Sequence, residues 1–96
     1  MKVLVDQSVF LFLKENKISI SKEIKEIISS LKNFPKMYPR IANDDSIRHF
    51  FIKNIEFGYM IDEDKIIIAD CKFTKSNKTL KIKRYLANKS LAYYFE

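Results

Sequence analysis

The sequence predicts a single α+β domain of order β-α-α-β-β-β, in which an N-terminal strand and a helical hairpin precede an antiparallel three-stranded meander, followed by a C-terminal helical extension. Three observations predict it. Ile47 to Lys75 reads as consecutive runs of β-branched and aromatic residues separated by short polar breaks, the mark of a meander. Ile20, Ile24, Ile27, Ile28, Leu31 and Phe34 recur at the spacing of one apolar helical stripe. The chain has 96 residues, 47% of them hydrophobic, with one Gly and two Pro, which suffices for one core, is too short for two and leaves no linker.

Met1 to Val5 is a short strand signal that pairs with a sheet formed later in the chain. Asp6 or Ser8 can cap the helix that follows by accepting from its free N–H groups, and Val9 to Leu13 give that helix an apolar side until it ends near Asn16-Lys17. Ser19 or Ser21 supplies the N-cap of the second helix, and Glu23 sits in its first turn, where the helix dipole favours a carboxylate. Lys22, Lys25, Glu26, Ser29 and Lys32 face outward, and Asn33-Phe34-Pro35 stops the helix. Both helices should lie on one face of the sheet. Pro35 to Ser46 has no periodicity and reads as a loop of the kind that often carries function. The second strand is expected over Ile47–Ile55, the third over Phe57–Ile61 and the fourth over Lys65–Phe73, with Asp62-Glu63-Asp64 as the clearest turn. Ile66 to Ala69 is apolar on both faces, so the fourth strand should be central. Thr79 to Leu86 is expected to be helical, and Leu91 to Phe95 is too apolar to float and must dock on its own domain or on a partner.

Charge narrows the function classes. Residues 1–64 hold ten Lys and Arg against ten Asp and Glu, whereas residues 65–96 hold eight basic residues against Asp70 and Glu96, so the whole +6 lies in the last third. A one-sided field of this kind points to a polyanion or an acidic protein, or else to a solvated basic tail. The longest apolar run, Val9 to Leu13, is five residues, far below a membrane span, and no signal-peptide pattern opens the chain. A single cysteine, Cys71, cannot form an internal disulfide, which fits a cytoplasmic location. There is no Gly-rich loop, no His/Cys metal spacing and no Ser/His/Asp set, which removes the P-loop, zinc and hydrolase readings and leaves no cofactor to expect.

His49 is the only histidine, the side chain suited to proton transfer near neutrality, and alternation puts it on one strand face with Ile47, Phe51 and Lys53 while Arg48 points to the other. Lys72 and Lys75 lie at and just after the end of the fourth strand, placed to bind phosphate or to be solvated. Lys78, Lys81, Lys83, Arg84 and Tyr85 interleave cations with an aromatic ring, as RNA-binding surfaces do and as an ordinary amphipathic helix exterior also does. Cys71 sits in an apolar strand pattern and reads as a small core residue.

The order β-α-α-β-β-β, a helix ending in Phe34-Pro35, and the run Tyr59-Met60-Ile61-Asp62-Glu63-Asp64-Lys65-Ile66-Ile67-Ile68-Ala69-Asp70-Cys71-Lys72-Phe73 resemble the RelE/ParE superfamily of bacterial toxins, its YoeB-like branch above all. The resemblance covers about residues 1–75 and would make 1–96 one RelE-like domain with 77–96 as a basic, aromatic extension. It implies a type II toxin: a metal-independent endoribonuclease or translation inhibitor acting on mRNA at the ribosome, silenced by a cognate antitoxin, as a homodimer or a toxin–antitoxin hetero-oligomer. Arg48, His49, Lys53, Lys72 and Lys75 would then supply phosphate contacts and proton transfers around a cationic hollow on the sheet. The chain departs from the family at the chemistry. The family's second-strand arginine falls on Phe50, a third-strand arginine falls on Glu56, and the terminal His-Tyr pair falls on Thr74-Lys75. These departures point to an alternative of another class, a non-catalytic RelE-fold plasmid or phage factor that binds RNA, the ribosome or an acidic protein through its basic C-terminal third. A ParE-like gyrase inhibitor is a third option.

Overall fold

The computed structural model describes residues 1–42, 44–80 and 92–94. It is a mixed α+β domain of elements β1 (Lys2–Asp6), α1 (Gln7–Glu15), α2 (Ser21–Asn33), β2 (Arg40–Ile41), β3 (Asp44–Ile52), β4 (Ile55–Asp62), β5 (Lys65–Phe73) and β6 (Ala92–Tyr94). The strands form one sheet in the order β2-β3-β4-β5-β1-β6. β1 runs parallel to β5, with Val3 opposite Ile66, and every other pairing is antiparallel. β5 is therefore flanked on both sides, as its apolar run requires, and Ile66, Ile67, Ile68 and Ala69 are all buried.

The helices cover one sheet face. Asp6 caps α1, its carboxylate accepting from the Ser8 N–H at 3.0 Å. At the other end Lys17 N–H donates to Lys14 O at 3.1 Å and Ile18 N–H to Leu13 O at 2.9 Å, the Schellman pattern, with Lys17 left-handed at φ 54°. The N-cap of α2 is Ile20, which makes no side-chain cap bond, so neither serine fills that role; Glu23 lies in the first turn as expected. Ile24, Ile28 and Leu31 carry the buried stripe of α2 onto Val3, Val5, Phe50, Phe57, Tyr59, Ile66 and Ile68. Phe34 is not part of it: α2 ends at Asn33, Phe34 takes φ −133° and ψ 71°, and its side chain leaves the helical phase to stand 66% exposed. Phe50 and Phe57 stack across β3 and β4 with centroids 5.0 Å apart and planes 8° off parallel, a pairing that adds about 0.5–1.5 kcal/mol to their burial.

The meander differs from its sequence-based outline in one consequential place. The expected second strand ran through Lys53-Asn54, but these residues form the turn between β3 and β4, so β3 ends at Ile52 and β4 begins at Ile55. Lys53 takes φ 54° there, and Glu63 takes φ 56° in the next hairpin. Within the expected loop, Arg40–Ile41 adds the short edge strand β2, and the rest is latched down: Tyr59 donates to Pro35 O at 2.8 Å and Arg48 Nη1 to Tyr38 O at 2.8 Å. Burial, chiefly, pushes the Tyr59 hydroxyl above its usual titration range.

The C-terminal aromatic segment docks on its own domain, Ala92–Tyr94 pairing with β1 through Asp6, Val5 and Leu4. Thr79 and Leu80, the first residues of the expected helix, are not helical, and the remainder, 81–86, lies outside the described residues. No helix among the described residues is long and apolar enough to cross a membrane.

Candidate functional site

Alternation along β3, β4 and β5 sends a second set of side chains to the face without helices. From β3 come Ile47 and His49, from β4 Glu56 and Met60, and from β5 Ile67 and Lys72. Glu56 stands directly opposite Lys72, while His49, opposite Gly58, is its diagonal neighbour on the other side. Both carboxylate oxygens of Glu56 are engaged, Oε2 with His49 Nδ1 at 2.7 Å and Oε1 with Lys72 Nζ at 3.4 Å. The three side chains are only 22%, 14% and 14% exposed for His49, Glu56 and Lys72, so solvent screens the cluster weakly.

The protonation pattern follows from the bonding. An ionised carboxylate only accepts, so His49 Nδ1 carries the proton of the 2.7 Å bond and Nε2 is the nitrogen that takes up or gives a proton. The Phe51 ring lies beside the imidazole at 5.2 Å. A carboxylate-oriented imidazole next to an ammonium combines a proton acceptor with a cation for a developing anion.

A bulge completes this face. Gly58 pairs with Asp70 and Tyr59 with Ile68, leaving Ala69 without an opposite residue. The extra residue keeps Ile68 and Cys71 in the helix-side core and turns Asp70 away from it. There Asp70, 2% exposed, accepts from Lys78 Nζ at 2.9 Å, and the same ammonium reaches Cys71 O at 3.1 Å. Lys72 Nζ donates to Ser76 O at 3.1 Å. Segment 76–80 thus crosses back over the sheet, and with it Glu56, Lys72, Asp44 and Ile47 line a half-open pocket of about 300 Å³.

The expected cationic hollow is therefore corrected. Its lysines face the carboxylates of Glu56 and Asp70, Asp44 adds a third acid, and Leu80, 7% exposed, fills part of the floor. Of the five residues expected to converge, the structure brings together His49 and Lys72. Arg48 points to the helix side and holds the 36–38 loop through its carbonyls. Lys53 sits on the hairpin turn rather than on the strand, 66% exposed and 3.9 Å from Glu23, and Lys75 is exposed on the turn after β5. Of the residues assigned to RNA binding, Lys78 is tied to Asp70, while Lys81, Lys83, Arg84 and Tyr85 lie outside the described residues.

Glu56, which the sequence shows only as a departure from the arginine of the resembling family, is the residue that joins His49 to Lys72. The signal that finds it is the Lys53-Asn54 turn: pairing Ile52 with Ile55 forces Phe51 onto Glu56 and His49 onto Gly58. Among the described residues no three His, Cys, Asp or Glu side chains gather as metal ligands. Burial, together with the Asp70 charge, pushes the Cys71 thiol up to about 12, so this cysteine is no nucleophile at neutral pH.

No protein-family model, curated protein or solved structure matches the chain.

Proposed function

We propose that the chain is a RelE/YoeB-like toxin of a type II toxin–antitoxin system, acting in the cytoplasm on mRNA at the ribosome as a metal-independent endoribonuclease held in check by a cognate antitoxin. The observation that carries this reading is the His49–Glu56–Lys72 cluster on the helix-free face. Glu56 holds the imidazole in the tautomer whose Nε2 removes the proton of a ribose 2′-OH. The freed oxygen attacks the adjacent phosphorus, the P–O5′ bond breaks, the Lys72 ammonium protonates the leaving oxygen, and a 2′,3′-cyclic phosphate remains. The catalytic set is then His49 and Lys72, with Glu56 as the positioning residue in place of Arg48, Lys53 and Lys75.

Induction of the chain alone is expected to arrest growth and to leave primer-extension stops on translated mRNA. His49→Ala or Lys72→Ala should lower cleavage by about 100-fold or more. Glu56→Gln, which keeps the shape and removes the charge, should lower kcat with little change in KM. Arrest that persists undiminished in all three variants, without new mRNA ends, would remove the catalytic reading.

That outcome is the one expected of a second reading, a non-catalytic binding protein that engages RNA, the ribosome or an acidic protein through its basic C-terminal third. Two features favour it: both site lysines are already paired with acids, and residues 65–96 carry the whole net charge of +6. A gyrase-directed inhibitor would give the same arrest with DNA damage in place of mRNA ends.

A further inference from the structure

Gly58 is the only glycine in the chain, and it lies mid-strand rather than in a turn. Its φ is not positive, so backbone freedom does not explain it. Space does: a Cβ built there would lie 3.1 Å from Leu80 Cδ1 and 3.5 Å from Ile47 Cγ2. The missing side chain is the seat of Leu80, which is only 7% exposed although its neighbour Thr79 is exposed. Just before that seat the same segment is stapled to β5. Lys78 Nζ meets the buried Asp70 carboxylate at 2.9 Å and Cys71 O at 3.1 Å, and Ser76 O accepts from Lys72 Nζ at 3.1 Å.

We propose that residues 76–80 are an autoinhibitory strap: seated over Gly58 and pinned by Asp70, they cover the Glu56–Lys72 end of the catalytic cluster and must lift before a polynucleotide can enter. The half-open pocket left between the strap, Glu56 and Lys72, about 300 Å³, is at the lower end of the range for small-ligand pockets. The strap also competes directly for the chemistry, since the ammonium assigned to the leaving oxygen is the one that bonds Ser76 O. The otherwise unexplained features of this face, a lone mid-strand glycine, a β5 bulge and a buried aspartate, all serve this one contact. What enters once the strap lifts rests on the ribonuclease reading; that the strap covers Lys72 does not.

The test keeps these apart. Full-length chain, Leu80→Ser and Lys78→Gln are treated with limiting acetic anhydride, and the acetylation rate of Lys72 is followed by mass spectrometry against exposed Lys25 as internal reference. Circular dichroism confirms that each variant is folded. Lys72 is expected to react at least 5-fold faster in both variants, with mRNA cleavage rising in parallel. A Lys72 rate that rises without any cleavage supports the strap and counts against the ribonuclease. An unchanged Lys72 rate in both folded variants overturns the strap, whatever the cleavage assay shows.

Discussion

Glu56 shows how far one side chain can reset the reading of a surface. On its own it is a carboxylate where a phosphate-binding site wants a cation. Across the strands it is the group that fixes the proton on His49 Nδ1 and offsets Lys72. Cys71 gives the opposite lesson, a reactive residue type silenced by its surroundings. Its folded thiol is pushed from the ordinary 9.0 to about 12, so the unfolded chain loses this proton first. The stabilisation from keeping the thiol neutral is complete below pH 9 and is lost as pH climbs from 9.0 towards 12. Melting temperature should accordingly fall more steeply over that alkaline interval in the native sequence than in Cys71→Ala, with the slopes compared because the substitution also removes packing. Iodoacetamide should label Cys71 in urea and leave it intact in the folded protein at neutral pH.

At the scale of elements, the helices and the outer turns were legible because their signals are local. Ile24, Ile28 and Leu31 bury one stripe of α2, and Asp62 to Lys65 closes the hairpin between β4 and β5. Lys53-Asn54 was not legible, because neither residue is Gly or Pro and Phe50 to Phe57 continues an apolar pattern through it. Missing that turn hid the register, and with it the meeting of His49 and Glu56. The bulge at Ala69 was hidden for a different reason, being defined only by the partner strand. Helix ends supply a direct test of the backbone reading. Lys17 occupies the left-handed position that closes α1, where a Cβ is disfavoured and glycine is at ease. Lys17→Gly should raise stability by about 1 kcal/mol in urea denaturation, and Lys17→Val should lower it by at least as much. The reverse order would show that the Schellman geometry is wrong.

For the whole molecule, the sheet edge next to the N-terminal strand is covered by the chain's own C-terminal residues. Without β6, the backbone groups of Leu4 to Asp6 on that side would be open to another molecule. Removing residues 92–96 should therefore leave the helix-side core intact, with far-UV circular dichroism close to native, and shift the protein towards dimers or larger species in analytical ultracentrifugation. A strictly monomeric, equally soluble truncation would show that this pairing guards nothing. The pairing of Ala92 to Tyr94 with β1 could not be read from the sequence, since any exposed edge would accept these residues by backbone bonding alone.

The parallel partnership of β1 and β5 has a bearing on biosynthesis. Val3 finds Ile66, and Leu4 finds both Ile67 and Tyr94, so β1 must wait for segments made long after it before it acquires its neighbours. Such distant closure is slow to nucleate. Until β5 and β6 have been made, the growing chain can present α-helical and hairpin fragments but no finished platform. The helix-free face is therefore a late product of folding, assembled by contacts between distant parts of the chain.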